Sequence, residues 1–200
     1  MRRAMGAAAS GVSMVLLLSC GSGSGIEGID TAGAQARAER AADELAGTLI
    51  SRLTDALHDE GAVPALTVCS EVAQELTSEI GEEHGLAIRR TSLRTRNPLN
   101  APDPYERRWL EQEEARFGAN PELHPTPTTV IVETPSGGWE LRYVRPLFLA
   151  ELCVQCHGAP ERLAEGIPEA LARLYPEDRA TGFAPGDLRG VISVRVPLGE

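Results

Sequence analysis

The sequence predicts an α+β fold in which N-terminal helices pack on an antiparallel sheet, and three observations lead to this prediction. Leu45, Leu49, Leu53 and Leu57 recur at helical spacing in an Ala-rich stretch. After residue 85 the pattern changes to short runs rich in β-branched and aromatic residues. Two of these runs flank residues 135–138, whose sequence PSGG is typical of a hairpin turn.

Two helices are expected before the sheet. Residues 31–60 contain the leucine repeat, and this helix should end near Gly61. Pro64 opens a second helix, which we expect to end at Gly81. Its apolar positions have helical spacing, so Cys69 should point inward from the apolar face of this helix. The other residues of that face are Leu66, Val72 or Ala73, Leu76 and Ile80.

The sheet should follow in four segments, separated by a loop over residues 94–104 and a charged helix over residues 105–117. Trp139, Leu141 and Tyr143 alternate on one strand face, where they would line a pocket or form plain core. An antiparallel sheet with helices on one side is the economical arrangement. The predicted strands are 86–93, 128–134, 139–144 and 191–196.

One short motif indicates the cofactor. Cys153-Val154-Gln155-Cys156-His157 has the C-x-x-C-H spacing of a c-type haem attachment site. Two thiols three positions apart can add to the two vinyl groups of one porphyrin, while the adjacent imidazole reaches the iron. We therefore expect one covalent haem c, attached at Cys153 and Cys156, with His157 as an axial ligand of the iron.

Other chemistries also use a C-x-x-C pair. A thioredoxin-like pair begins a helix of a βαβ unit, whereas Gly158-Ala159-Pro160 follows here at once. A structural zinc site needs four ligands, and the chain has no second C-x-x-C, although Cys69 and His124 would complete a set. Zinc and a disulfide stay open as alternatives to haem.

The N-terminus indicates secretion. Two arginines precede an apolar stretch over residues 5–18, which is short for a membrane span and typical of a signal peptide. Residues 17–20, LLSC, resemble the bacterial lipobox, in which the cysteine is acylated. We expect residues 1–19 to be removed, Cys20 to carry the lipid, and the Gly/Ser segment 21–25 to act as a flexible tether on the periplasmic side of a membrane. Ordinary cleavage near Cys20 would also give a secreted protein.

Charge and length limit the function further. Residues 1–19 contain two arginines and no acid, so the mature chain keeps 17 basic residues against 29 acidic ones, a net charge of −12. A chain this acidic is not expected to bind nucleic acid. The remaining length, about 180 residues without an internal repeat, suits one compact domain.

Residue counts narrow the choice of a second iron ligand. All three methionines lie in the predicted signal peptide and the chain has no lysine, so neither a thioether nor an amine is available. Cys69 is the one cysteine left without a role in an oxidising compartment, where an unpaired thiol needs protection. Burial in the core would protect it, and so would ligation to iron. Position alone favours a core cysteine.

Motifs on both sides of the haem motif point to one family. They are Arg90-Thr91-Ser92-Leu93, Arg96-Asn97-Pro98, Asn100-Ala101-Pro102-Asp103, residues 143–147, Tyr175-Pro176-x-Asp178-x-Ala180-x-Gly182 and Gly186-Asp187-x-Arg189-Gly190. Together they resemble the Tll-like haem-binding domain family over about residues 41–198. The resemblance implies a PAS-like fold holding one c-type haem in residues 41–200, after a tether and helix start in residues 20–40. It also implies a helix-borne cysteine opposite His157, and Cys69 stands at that position.

Further side chains are candidates for the site. The cations nearest the motifs are Arg90, Arg94, Arg96 and Arg145, which would contact haem propionates or remain solvated surface charges. His58, His84 and His124 are alternative ligands, although each is expected at the surface.

These features favour a membrane-tethered periplasmic haem protein that senses redox state or a diatomic gas. A thiolate stabilises Fe(III), so a His/Cys site should have a low potential, and release of the thiolate would open a position for a gas. The alternative is a low-potential electron-transfer cytochrome, for which an acidic docking surface would be useful. Both functions require a redox or signalling protein partner, and nothing beyond the metal indicates an enzyme.

Overall fold

The computed structural model describes residues 28–199. The predicted signal peptide, the lipidation candidate Cys20 and the tether lie outside the described residues. Within residues 28–199, no helix has both the length and the apolar character needed to cross a membrane.

Helix α1 spans Thr31–Asp59, close to its predicted bounds. The Asp30 side chain caps it by accepting a hydrogen bond from the Gly33 N–H at 2.8 Å. The first half of α1 is buried against the sheet through small side chains, which allow a close approach. The second half leaves the sheet and contributes leucines to a cavity described below.

The second helical segment consists of α2 (Ala62–Thr67), a π-helical turn (Val68–Val72) and α3 (Ala73–His84). The prediction that it ends at Gly81 is wrong. Gly81 is buried inside α3, where a Cβ atom would lie 3.0 Å from the Leu86 carbonyl oxygen. The helix ends instead at Gly85, which takes the left-handed conformation that glycine adopts without strain.

Four strands form one antiparallel sheet in the order β1-β4-β3-β2. The prediction of an α+β fold with an antiparallel sheet and N-terminal helices is confirmed. All four strands were expected from their sequence patterns, and β3 and β4 extend further toward the site than predicted. Their bounds are Ala87–Thr91 for β1, Thr128–Glu133 for β2, Trp139–Phe148 for β3 and Leu188–Leu198 for β4.

Helices cover both faces of the sheet. α1 and α3 pack on the face that carries Leu141, Tyr143 and Ile192. Helix α4 (Pro104–Ala119) packs Trp109 and Leu110 on the opposite face, which the prediction of one-sided packing did not include. Two short helices follow β3, namely α5 (Val154–His157), which carries the haem motif, and α6 (Ile167–Leu174), which was not predicted.

Candidate haem site

Two adjoining cavities lie between the second half of α1, the π-helical turn, α5 and the end of the sheet. The larger one, about 970 Å³, is lined almost wholly by apolar side chains and includes Cys153 and Cys156. The smaller one, about 640 Å³, is lined mainly by polar and cationic side chains. Five residues line both cavities: Cys69, Arg90, Leu147, His157 and Arg189. The sequence-predicted ligands Cys69 and His157 therefore stand at the boundary between an apolar and a polar compartment.

Gly158, which follows the haem motif, determines the backbone conformation at its end. In Gly158 a Cβ atom would lie 2.5 Å from Val154 Cγ1 and 2.6 Å from the Val154 carbonyl oxygen, so the chain can turn here only without a side chain. The turn is fixed by two backbone hydrogen bonds, from Gly182 to the Gly158 oxygen at 2.7 Å and from Phe183 to the His157 oxygen at 2.9 Å. The segment around residue 182 thus forms a wall behind the motif.

His157 has one tautomer set by its neighbour. Its Nδ1 atom lies 2.6 Å from the carbonyl oxygen of Ala180, which can only accept a hydrogen bond, so Nδ1 carries the proton. Burial, followed by the charges of Arg189 and Arg96, holds the pKa of His157 well below its usual range. The imidazole is therefore neutral, and Nε2 keeps its lone pair for a metal.

The three described cysteines are free thiols on different elements around the cavities. Burial raises the pKa of Cys153, and it raises the pKa of Cys156 to about 11, against the opposing effect of Arg96. Cys69 lies on the π-helical turn, an irregularity that is frequent at functional sites. The Cys69 side chain is partly buried and lines both cavities, so it is available to a molecule bound there.

Arg90, Arg96 and Arg189 line the polar cavity. Arg96 is 7% exposed, forms a 3.0 Å ion pair with Asp178 and donates to the Cys156 carbonyl oxygen at 2.6 Å. Burial and the charges of Arg96 and Arg90 lower the pKa of Arg189 to about 10, so it remains cationic at neutral pH. Arg189 was not among the candidates from sequence, because its direction depends on a strand irregularity described below.

Arg94 and Arg145 lie elsewhere. Arg145 forms a 2.7 Å ion pair with Asp43 on α1. Arg94 donates to the carbonyl oxygen of Thr181, and its guanidinium carbon lies 3.9 Å from the centre of the Phe183 ring. Neither side chain lines the two cavities, so the structure does not bring them together with Cys69 and His157.

The alternative ligands are also placed apart. His58 contacts the neighbouring Asp59, and His84 pairs with Glu44 at 2.8 Å. His124 packs against Phe117 and Phe148, with ring centroids 5.0 Å and 5.5 Å away. His124 does not line either cavity. Within residues 28–199 no three His, Cys, Asp or Glu side chains form a cluster that could hold a metal ion.

A family model described as Tll0287-like matches residues 31–197. The chain belongs to the Tll0287-like family. The resemblance inferred from its motifs is thereby confirmed, and the match begins where α1 begins. A solved structure described as the cyanobacterial heme-protein Tll0287 is similar, with 26% identity and a TM-score of 0.62 over 82% of this chain and 94% of that one. No curated protein matches the chain significantly.

The residues at the site of this Tll0287-like protein fit a porphyrin. A haem has an apolar macrocycle, two reactive vinyl groups on one edge and two carboxylates on the opposite edge. The apolar cavity carries the two thiols, and the polar cavity carries the arginines. Two buried nitrogens, Arg96 Nη1 and Arg189 Nε, have no hydrogen-bond partner, as expected where an anionic group belongs. Cys153 and Cys156 would hold the vinyl edge, and His157 Nε2 would hold the iron.

Proposed function

We propose that this chain is a c-type haem protein with one haem, attached through Cys153 and Cys156 and ligated by His157 and Cys69. One observation carries the proposal: these four side chains line a single apolar cavity of about 970 Å³. Membership of the Tll0287-like family, whose solved relative is described as a heme protein, supports it independently.

The attachment needs no oxidant. Each thiol adds across one vinyl double bond, so that a C–S bond forms and the thiol hydrogen moves to the neighbouring carbon. Cys153 ends a short 3-10 turn, and Cys156 lies within α5, so the motif forms one compact corner of the cavity. The burial that raises the pKa of both thiols keeps them protonated, which is the form this addition consumes.

Cys69 would serve as the second axial ligand. Arg90 is its cationic neighbour, because both side chains line the two cavities. When bound, the haem would supply one-electron redox chemistry at low potential and, where the thiolate leaves, a position for a diatomic gas.

We propose a sensor of redox state or of a diatomic gas as the function of this site. The position of Cys69 favours sensing, because a π-helical turn departs from the regular α-helical ladder and such turns are frequent at functional sites. The turn joins α2 directly to α3, and α3 packs on α1 and the sheet. Movement of Cys69 would therefore reach a large part of the fold, from which a protein partner could read it.

A low-potential electron carrier is the second candidate, and one surface feature favours it. Phe148 lines the apolar cavity and is also 38% exposed. Its ring centroid lies 6.0 Å from that of Phe117 and 5.5 Å from that of His124. This aromatic cluster gives a short path from the cavity to solvent, where a redox protein would dock.

The proposed location is supported by the N-terminal sequence, in which an apolar stretch precedes the lipobox-like residues 17–20. We propose that Cys20 carries a lipid and tethers the domain on the periplasmic side of a membrane. Replacing Cys20→Ser should release the protein from the membrane fraction while leaving its haem in place; membrane retention of the variant would contradict the anchor.

Spectra separate the two functions. Absorption spectra of the oxidised and reduced protein should be recorded with and without carbon monoxide and nitric oxide. A sensor of gas should bind at least one of them after reduction, whereas a carrier should stay six-coordinate and bind neither. Protein made with the haem-attachment machinery present that contains zinc, or no haem, would contradict the whole proposal.

A further inference from the structure

The polar cavity has a strong excess of positive charge. Arg90, Arg96 and Arg189 line it, and no Asp or Glu of the described residues does so. Asp178 lies behind Arg96, where it neutralises one of the three charges through the 3.0 Å ion pair. Two positive charges are thus left without an acidic partner in a largely buried compartment. Burial without an anion is unfavourable for a guanidinium, so this arrangement favours an anionic ligand.

Two donors in this compartment are free to bind an anion. Arg96 uses Nε and Nη2 on Asp178 and on the Cys156 carbonyl oxygen, which leaves Nη1 buried without a partner. Arg189 uses Nη1 on the Arg94 carbonyl oxygen at 3.2 Å, which leaves Nε buried without a partner. Both free nitrogens belong to residues of the polar cavity. Planar guanidinium groups match carboxylates well, because they can donate two hydrogen bonds at once.

Arg189 reaches this position through an irregularity in the sheet. Leu147 on β3 pairs with Gly190, but the next residue, Phe148, pairs with Leu188, so Arg189 is an extra residue on β4. Such a bulge turns a side chain away from its regular direction and is frequent beside functional sites. The neighbouring Gly190 permits it, because a Cβ atom there would clash with the Thr91 carbonyl oxygen of β1.

We propose that this polar cavity is the carboxylate subsite of the haem, in which Arg189, Arg96 and Arg90 neutralise its two propionates. The inference rests on the proposed haem function and fixes the direction of the cofactor. Three arginines and one aspartate leave two positive charges, which equal the two negative charges of the propionates. Cys153 and Cys156 line only the apolar cavity, so the vinyl edge and the carboxylate edge are directed into opposite compartments.

The test uses the haem-free full chain and two probes that cannot form thioethers. Ferric mesohaem has ethyl groups in place of vinyl groups, and its dimethyl ester lacks both carboxylate charges. We expect the wild-type protein to bind the diacid at least about tenfold more tightly than the diester, since a buried charged hydrogen bond contributes at least one factor of ten. Arg189→Met should remove most of this preference, and Arg189→Lys should keep part of it.

The remaining outcomes decide between the alternatives. Arg116→Met changes an exposed arginine paired with Glu113 and should leave the preference unchanged. Equal binding of diacid and diester by the wild-type protein would overturn the carboxylate subsite while leaving the haem proposal intact. Failure of both probes to bind would count against the haem proposal itself. If succinate binds the haem-free protein without competing with mesohaem, and Arg189→Met abolishes succinate binding, the cavity is a site for small free anions and the inference is wrong.

Discussion

The Nδ1 atom of His157 lies 2.6 Å from the carbonyl oxygen of Ala180, 23 residues further along the chain. Ala180 is itself held by Asp178, whose Oδ1 atom accepts from the Ala180 N–H at 3.2 Å. The same carboxylate pairs with Arg96, which donates to the Cys156 carbonyl oxygen. A closed set of contacts thus orients the imidazole from behind, as partners of metal-binding histidines commonly do.

Asp178 is the centre of these contacts, and its replacement should weaken the fold and the site together. Asp178→Asn leaves the buried charge of Arg96 without its partner, and we expect a loss of about 3 kcal/mol in the free energy of unfolding, measured with urea. Asp59→Asn is the matched control, because the contact of Asp59 with His58 is exposed and should contribute less than about 1 kcal/mol. Equal effects of the two changes would contradict the role of Asp178.

Gly158 should not tolerate a side chain. Gly158→Ala would place a Cβ atom in steric clash with both the side chain and the carbonyl oxygen of Val154. We expect the free energy of unfolding to fall by about 1–3 kcal/mol and haem incorporation to be poor. Gly47→Ala is the control, since it lies in α1 with open space around it and should stabilise the protein by about 0.5–1 kcal/mol. Thermal unfolding and haem content measure both effects. Full incorporation in Gly158→Ala would show that the turn can open.

Cys69 should dominate the spectrum of the oxidised protein. Cys69→Ala removes the sulfur, so we expect a marked change in the ferric absorption spectrum and a higher reduction potential. Val68→Ala removes volume from the same cavity without removing a donor, and it should leave the ferric spectrum close to wild type. An unchanged spectrum in Cys69→Ala would place Cys69 among the core residues instead.

The sequence was sufficient for the parts of the fold that depend on local patterns. The leucine spacing predicted α1 almost to the residue, and short runs rich in β-branched and aromatic residues predicted all four strands. Gly81 was misread as a helix end because a glycine required for close packing in a helix has the same sequence signal as one that ends it. The π-helical turn at Cys69 has no local pattern of its own, since it arises from the packing around it.

The residues of the candidate site that belong to a sequence motif could be predicted. Those whose direction depends on tertiary structure could not. Cys153, Cys156 and His157 follow from spacing, and Cys69, which the family resemblance singled out, lines the same cavity. Arg189 could not be found in the same way, because its direction depends on a bulge set by strand register. The signal in the sequence that could have indicated Arg189 was its place in the family motif that ends in Gly190.

Asp103 should make the stability of α4 depend on pH in the acidic range. Its carboxylate caps α4 by accepting from Tyr105 and Glu106 and also pairs with Arg142 at 2.8 Å. Burial alone would raise the pKa of Asp103, but the Glu106 N–H and the Arg142 guanidinium outweigh it and hold the pKa below its usual value. The stabilisation is thus complete above the unfolded pKa, about 3.9, and is lost as the pH falls through the folded pKa.

Two variants check this dependence. Asp103→Ala removes cap and charge and should cost about 1 kcal/mol near neutral pH, while Asp103→Asn keeps a capping oxygen and should cost less. The difference between wild type and Asp103→Asn should shrink as the pH falls below about 4, because the wild-type carboxylate then becomes neutral. Urea unfolding at several pH values measures it. A difference that stays constant into acid would mean that the Asp103 charge does not contribute.

The second half of α1 should depend on the cofactor for its order. Leu49, Leu53 and Leu57 line the apolar cavity, whereas the buried first half packs on the sheet. In haem-free protein these leucines face an empty space, so amide hydrogen exchange over residues 49–57 should be at least about tenfold faster than in the haem-loaded protein, with residues 34–45 unchanged. Leu53→Ala should accelerate exchange in the loaded protein, and the exposed neighbour change Arg52→Ala should not. Equal protection with and without haem would mean that α1 does not respond to the site.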